Sequence, residues 1–173
     1  MASTLKINNL DTASGTTITI PTGKPLIGTD TNSIKAPGMV VQIATDHDTA
    51  SLTMGSDQSY HDTGLSITFT PKYSNSIIVI QCMMGAECFS SANTGIGFRL
   101  LKDGSTVYDN DYALYNSSNN AQRIDQVPIL YTETSGSTSA RTYKVQFSRR
   151  SGDGSARLNA YAESRMIIME YAQ

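Results

Sequence analysis

Residues 141–148 read Arg-Thr-Tyr-Lys-Val-Gln-Phe-Ser, an alternation that puts Tyr143, Val145 and Phe147 on one face. A period of two marks a half-buried strand, because successive side chains of a strand point to opposite faces. Related segments recur along the chain. Residues 39–44 are mostly apolar, and residues 65–70 alternate cleanly before stopping at Pro71. Residues 76–84 form a continuous apolar run, which implies a strand covered on both faces or one turned toward a neighbouring subunit. Residues 95–101, 106–108, 123–131, 156–161 and 165–171 complete the series. No stretch of ten residues carries a convincing helical period.

Turn chemistry separates these runs. Lys102-Asp103-Gly104-Ser105 contains Asp-Gly, a strong hairpin signal. Pro128, inside residues 123–131, points to an edge or a bulge, since proline donates no ladder hydrogen bond. Composition agrees. Charged residues are 16% of the chain, against about 25% in an average soluble domain. Polarity comes instead from 21 Ser and 20 Thr, residues suited to pleated surfaces and turns. The sequence therefore predicts an all-β fold. About eight strands follow residue 38, arranged as an eight-stranded antiparallel jelly-roll sandwich.

Residues 1–38 read differently, as a short strand-rich arm or stem. Their apolar side chains come singly or in one pair, at Leu5, Ile7, Leu10, Ile18, Ile20, Leu26, Ile27 and Ile34, and the first aromatic residue is Tyr60. Such a segment cannot offset backbone ordering alone, at about 1–2 kcal/mol per residue. It stays flexible or orders against partners, and the alternation at Thr17-Ile18-Thr19-Ile20 favours order. Ala36-Pro37-Gly38 marks the break, so the expected division is 1–38 and 39–173.

Several function classes are excluded at this level. The net charge is −2, without the basic footprint of a nucleic-acid binder. No apolar run approaches the roughly 20 residues of a membrane span. The opening Met1-Ala2-Ser3-Thr4-Leu5-Lys6 has no apolar signal core, so synthesis in a host cytoplasm is expected. Cys82 and Cys88 read as two buried free thiols. Asp46-His47-Asp48 with His61-Asp62 is the main His/carboxylate clustering, and it reads as solvated turn chemistry. No metal and no cofactor is expected. The chain has no G-x-S-x-G elbow, and Asp109, Asp111, Glu133 and Glu163 all fall in or near turns. The expectation is a protein that is not an enzyme. Residues 109–122 read as an Asn-rich loop. With it, Tyr108, Tyr112, Tyr115 and Asn116 form a candidate recognition surface for glycan or protein.

Two blocks carry a family resemblance. Ser3-Thr4-Leu5-Lys6-Ile7-Asn8, Gly15 to Lys24 and Ala36-Pro37-Gly38-Met39-Val40-Val41-Gln42 resemble the start of structural proteins of tailed phages of marine and freshwater bacteria, including cyanophages. Asp62-Thr63-Gly64-Leu65, Ile67-Thr68-Phe69-Thr70-Pro71, the 77–84 run and Met166-Ile167-Ile168-Met169-Glu170 resemble the trimeric jelly roll of the C1q and tumour-necrosis-factor type. The resemblance covers nearly the whole chain and implies a homotrimer located in a virion. On this reading the apolar strands meet near the threefold axis, with Ile78, Ile80, Cys82, Met84, Met166, Ile168 and Glu170 expected at the interface. Leu5, Ile7, Ile18, Ile20, Leu26 and Ile27 are expected to serve virion attachment, against a major capsid protein or a tail protein. A capsid decoration (cement) or head-fibre role stands ahead of a short tail fibre that recognises host glycan, because a 38-residue stem is short for a tail fibre. Nucleic acid and membrane are not expected partners.

Overall fold

The computed structural model describes residues 22–23, 27, 34, 36–55, 57–89, 93–118, 122–152 and 154–173. The chain divides into two compact units, Met1–Ile34 and Lys35–Gln173. Of the expected attachment residues, Leu5, Ile7, Ile18, Ile20 and Leu26 lie outside the described residues, and Ile27 is exposed. No helix among the described residues is long and apolar enough to cross a membrane.

The second unit is an antiparallel β-sandwich. Its strands are β1 (Val40–Asp48), β2 (Leu52–Met54), β3 (His61–Phe69), β4 (Ile77–Phe89), β5 (Thr94–Lys102), β6 (Ser105–Asn116), β7 (Gln122–Thr134), β8 (Arg141–Ser151), β9 (Ser155–Leu158) and β10 (Ser164–Tyr171). The larger sheet runs β1-β10-β4-β9-β2, with β7 paired to the other side of β4. The smaller sheet runs β3-β8-β5-β6. The all-β expectation holds, with ten strands among the described residues where the sequence suggests about eight. The strand with no counterpart among the runs named above is β2, which pairs three residues with β9.

Alternation explains the core. Leu65, Ile67 and Phe69 of β3 point inward with Tyr143, Val145 and Phe147 of β8, and all six are buried. Phe98 of β5 stacks on Phe147 at 6.5 Å. From the larger sheet come Ile78, Ile80, Cys82, Met84, Ala86 and Cys88 of β4, with Met166 and Ile168 of β10. Each fully buried Leu, Ile or Phe contributes about 1.5–3 kcal/mol. Both cysteines are free and buried, and burial pushes each thiol up to about 12.

Turns behave as their residues dictate. Asp103 and Gly104 both take positive φ, 49° and 83°, and join β5 to β6 through the pair Lys102↔Ser105. Two successive left-handed residues make the primed turn that matches strand twist. Pro128 lies on β7, which pairs within its sheet only with β4, an edge position of the kind proline takes. Gly85 of β4 is needed for a different reason. A Cβ there would stand 2.0 Å from the carbonyl oxygen of Ala162, so only glycine lets residues 159–163 cross the strand. At one end of the larger sheet, Gly38 N–H donates to Ala172 O and Ala172 N–H donates to Met39 O, each at 2.8 Å.

Candidate functional site

The two outward faces of the sandwich have opposite chemistry. On the larger sheet, pairing puts Ile43, Met169, Val79 and Thr132 in one row across β1, β10, β4 and β7. The next row is Thr45, Ile167, Gln81 and Leu130, and the third is His47, Arg165, Met83 and Pro128. Ile43 and Leu130 are each 60% exposed, and Met83 and Ile167 are exposed as well. Ionisable side chains appear only in the third row of these twelve positions. Beyond Met83 the face closes, because residues 159–163 lie over Gly85. Six or more neighbouring apolar side chains on a sheet exterior form a patch of the kind that marks a contact surface.

The outer face of the smaller sheet is a polar lattice. Lys144 Nζ sits 2.8 Å from Asp62, which also accepts from Gln146 at 2.6 Å. These two bonds hold the Asp62 carboxyl below its ordinary range. Arg99 donates to Gln146 at 2.7 Å and lies 4.1 Å over the Tyr60 ring. The Tyr60 hydroxyl donates to Asp109 at 2.8 Å and to Asp111 at 3.1 Å. Arg150 closes the network with Asp111 at 2.7 Å. Exposed pairs of this sort contribute little stability singly, but they make a well-hydrated surface.

Against this geometry the expected interface residues need correcting. Ile78, Ile80, Cys82, Met84, Met166, Ile168 and Glu170 all point into the sandwich of one chain and are buried there. They cannot also meet a neighbour. The expected strands β4 and β10 do carry an apolar exterior, but on the alternate residues Val79, Met83, Ile167 and Met169. Glu170 has a structural task instead. Its carboxylate accepts from Ser76 Oγ at 2.6 Å and from the Lys72 and Tyr73 N–H groups at 2.9 and 3.0 Å. Burial pushes this carboxyl up, but the hydrogen bonds outweigh it and leave the group below its ordinary value.

The recognition surface also moves. Tyr108, Tyr112, Tyr115 and Asn116 lie on β6, a strand and not a loop. Tyr108 is half-buried against the core and Asn116 is buried. Tyr112 and Tyr115 remain exposed and pack edge to face, with ring centroids 5.9 Å apart. Of the neighbouring amides, Asn119 and Asn120 lie outside the described residues.

Asp46, His47 and Asp48 likewise belong to strand β1 and not to a turn. Among the described residues no group of three His, Cys, Asp or Glu side chains could hold a metal ion. A cavity of about 480 Å³ opens between β2 and β3, with Met54 and Phe147 among its lining and Asp57, His61 and Asp62 beside them. His61 Nε2 lies 2.6 Å from Asp57. The Ser59 N–H, followed by His61, brings the Asp57 carboxyl down to about 2.

The chain matches no protein-family model and no curated protein. Among solved structures it is similar to the VP2 subviral particle of infectious bursal disease virus, at 11% identity and a TM-score of 0.46, over 86% of this chain and 42% of that one. The T=1 particles derived from the same virus give 14% identity and 0.44, over 86% and 40%. Dimeric latent PorU from Porphyromonas gingivalis gives 8% identity and 0.41, over 84% and 14%. The chain thus spans about two fifths of the viral chains. Likeness at this level carries no argument about this chain.

Proposed function

We propose that this chain is a non-enzymatic structural subunit of a tailed-phage virion that works as a homotrimer, with a capsid decoration or head-fibre role. The observation that carries the reading is the difference between the two outward faces. An apolar exterior on one sheet and a hydrated lattice on the other is the pattern of a subunit with one face inside an assembly and one outside. The apolar face centres on Ile43, Val79, Leu130, Ile167 and Met169. Its partners are two further copies of the same chain, brought together round a threefold axis. Charge is nearly absent there, so association is driven by apolar burial at about 25 cal/mol per Å². The segment before residue 39 then serves attachment to a capsid or tail protein, in keeping with the phage resemblance of residues 3–8 and 15–24.

Two measurements test this. Light scattering at micromolar concentration should give three times the chain mass. Gold-labelled antibody on intact virions should decorate the head. Label confined to the tail would move the protein to a short tail fibre, and a monomer would remove the assembly reading.

A further inference from the structure

The exposed tyrosine pair on β6 is not accounted for by assembly, since it lies on the smaller sheet. Its exposure has a definite backbone cause. Between the pairs Ile96↔Leu114 and Phe98↔Asn110, β6 carries residues 111–113 against Gly97 alone. A bulge of this kind bends a strand and re-aims its side chains. Gly97 keeps the space clear, because a Cβ there would stand 2.9 Å from Arg150 Cδ and 3.0 Å from Asp111 O. As a result Tyr112, 56% exposed, and Tyr115, 37% exposed, stand together although they are three residues apart in a strand. Their rings meet at 73° and form an open corner.

The corner is held in place. The Tyr115 hydroxyl donates to Asn93 Oδ1 at 2.7 Å, and Arg123 Nη1 donates to Tyr115 O at 2.9 Å. The Tyr112 N–H meets Asn110 Oδ1 at 3.3 Å. The Tyr115 ring is held by its hydroxyl and the Tyr112 ring by its edge contact with Tyr115, an ordering that lowers the entropy cost of binding. Beside the Tyr115 backbone stands the exposed Arg123 guanidinium, a group that pairs with hydroxyls.

We propose that this corner binds a pyranose ring of a surface glycan. A sugar offers a flat face of polarised C–H groups for a tyrosine π-face, and rim hydroxyls for the exposed Arg123 guanidinium. A protein partner would need a larger apolar area than two rings supply. One such corner binds weakly, at about millimolar strength. In the trimer of the proposed function, on which this multivalency rests, three corners would engage a glycan-covered surface with avidity.

The test is heteronuclear NMR on the full chain, titrated separately with the methyl pyranosides of glucose, galactose, mannose and N-acetylglucosamine. The expected result is saturable shifts of the Tyr112, Tyr115, Asn93 and Arg123 signals with at least one sugar. Tyr112→Ala should weaken binding at least tenfold, whereas Tyr112→Phe should bind within about threefold of wild type. If none of the four sugars shifts these signals at 50 mM (roughly fifty times the expected strength), or if shifts map elsewhere, the proposal is overturned. The readout does not depend on oligomeric state, so it fails or succeeds separately from the trimer.

Discussion

Ser76 donates a 2.6 Å hydrogen bond to Glu170, tying the loop before β4 to the last strand of the same sheet. The carboxylate is buried and receives backbone bonds from Lys72 and Tyr73 as well. Its folded pKa lies below the ordinary 4.5, so folding favours the charged form. Its stabilisation is complete above the unfolded value and is lost as pH falls through the lower folded value. Thermal melts should therefore hold steady near neutrality and drop below about pH 4.5. Glu170→Gln should cost about 2–3 kcal/mol at pH 7 and flatten that acid limb. An unchanged limb in the variant would show that other carboxylates set it.

Leu130→Asp and Ile43→Asp place charge on the apolar exterior without touching the core. Each should yield a folded monomer by light scattering, with stability within about 0.5 kcal/mol of wild type, the usual range for surface changes. A persistent trimer in the double variant would show that the contact lies elsewhere.

Ile168→Asp should behave differently. The side chain is fully buried in one chain, so the substitution leaves an unpaired charge in the core at a cost of about 3–5 kcal/mol. Circular dichroism should show loss of the fold and not simple dissociation. A folded, soluble monomer from this variant would reverse the assignment of faces on β10.

Gly85→Ala should disturb the crossing of residues 159–163, because Ala162 O cannot accommodate the added methyl. A loss of about 1–3 kcal/mol is expected, the range for overpacking. The Asn159 amide, which donates to Gly85 O at 2.8 Å, should exchange faster. Gly55→Ala, where nothing lies within 4 Å, is the control and should be near neutral.

The strands most legible in the sequence were those with one apolar face. In β3 and β8 the alternation names the buried side chains directly, from Leu65 to Phe69 and from Tyr143 to Phe147. In β4 it does not. Ile77, Ile78, Val79 and Ile80 are apolar at every position, so a period of two has nothing to discriminate, and a one-residue error of parity exchanges core for exterior. Glu170 misled in the same way, since a carboxylate reads as exposed unless its backbone donors are known. Tyr112 and Tyr115 were named as candidates from residue type, yet the Asn-rich surroundings read as loop. The bulge opposite Gly97 that brings them together depends on pairing with a distant strand. The short β2 left no pattern at all, because three residues cannot show a period.

The paired bonds between Gly38, Met39 and Ala172 give the sandwich a polarity. The strand that leads in from residue 38 and the one that runs on to Gln173 share one pole, together with the Asp103-Gly104 hairpin and the Glu170 carboxylate. Asn93, Tyr115 and the start of β7 occupy the other. Strands of 9 to 13 residues separate them, roughly 30–40 Å at 3.3 Å per residue. A reporter fused after Gln173 would therefore emerge at the pole opposite the tyrosine corner and leave that corner unobstructed.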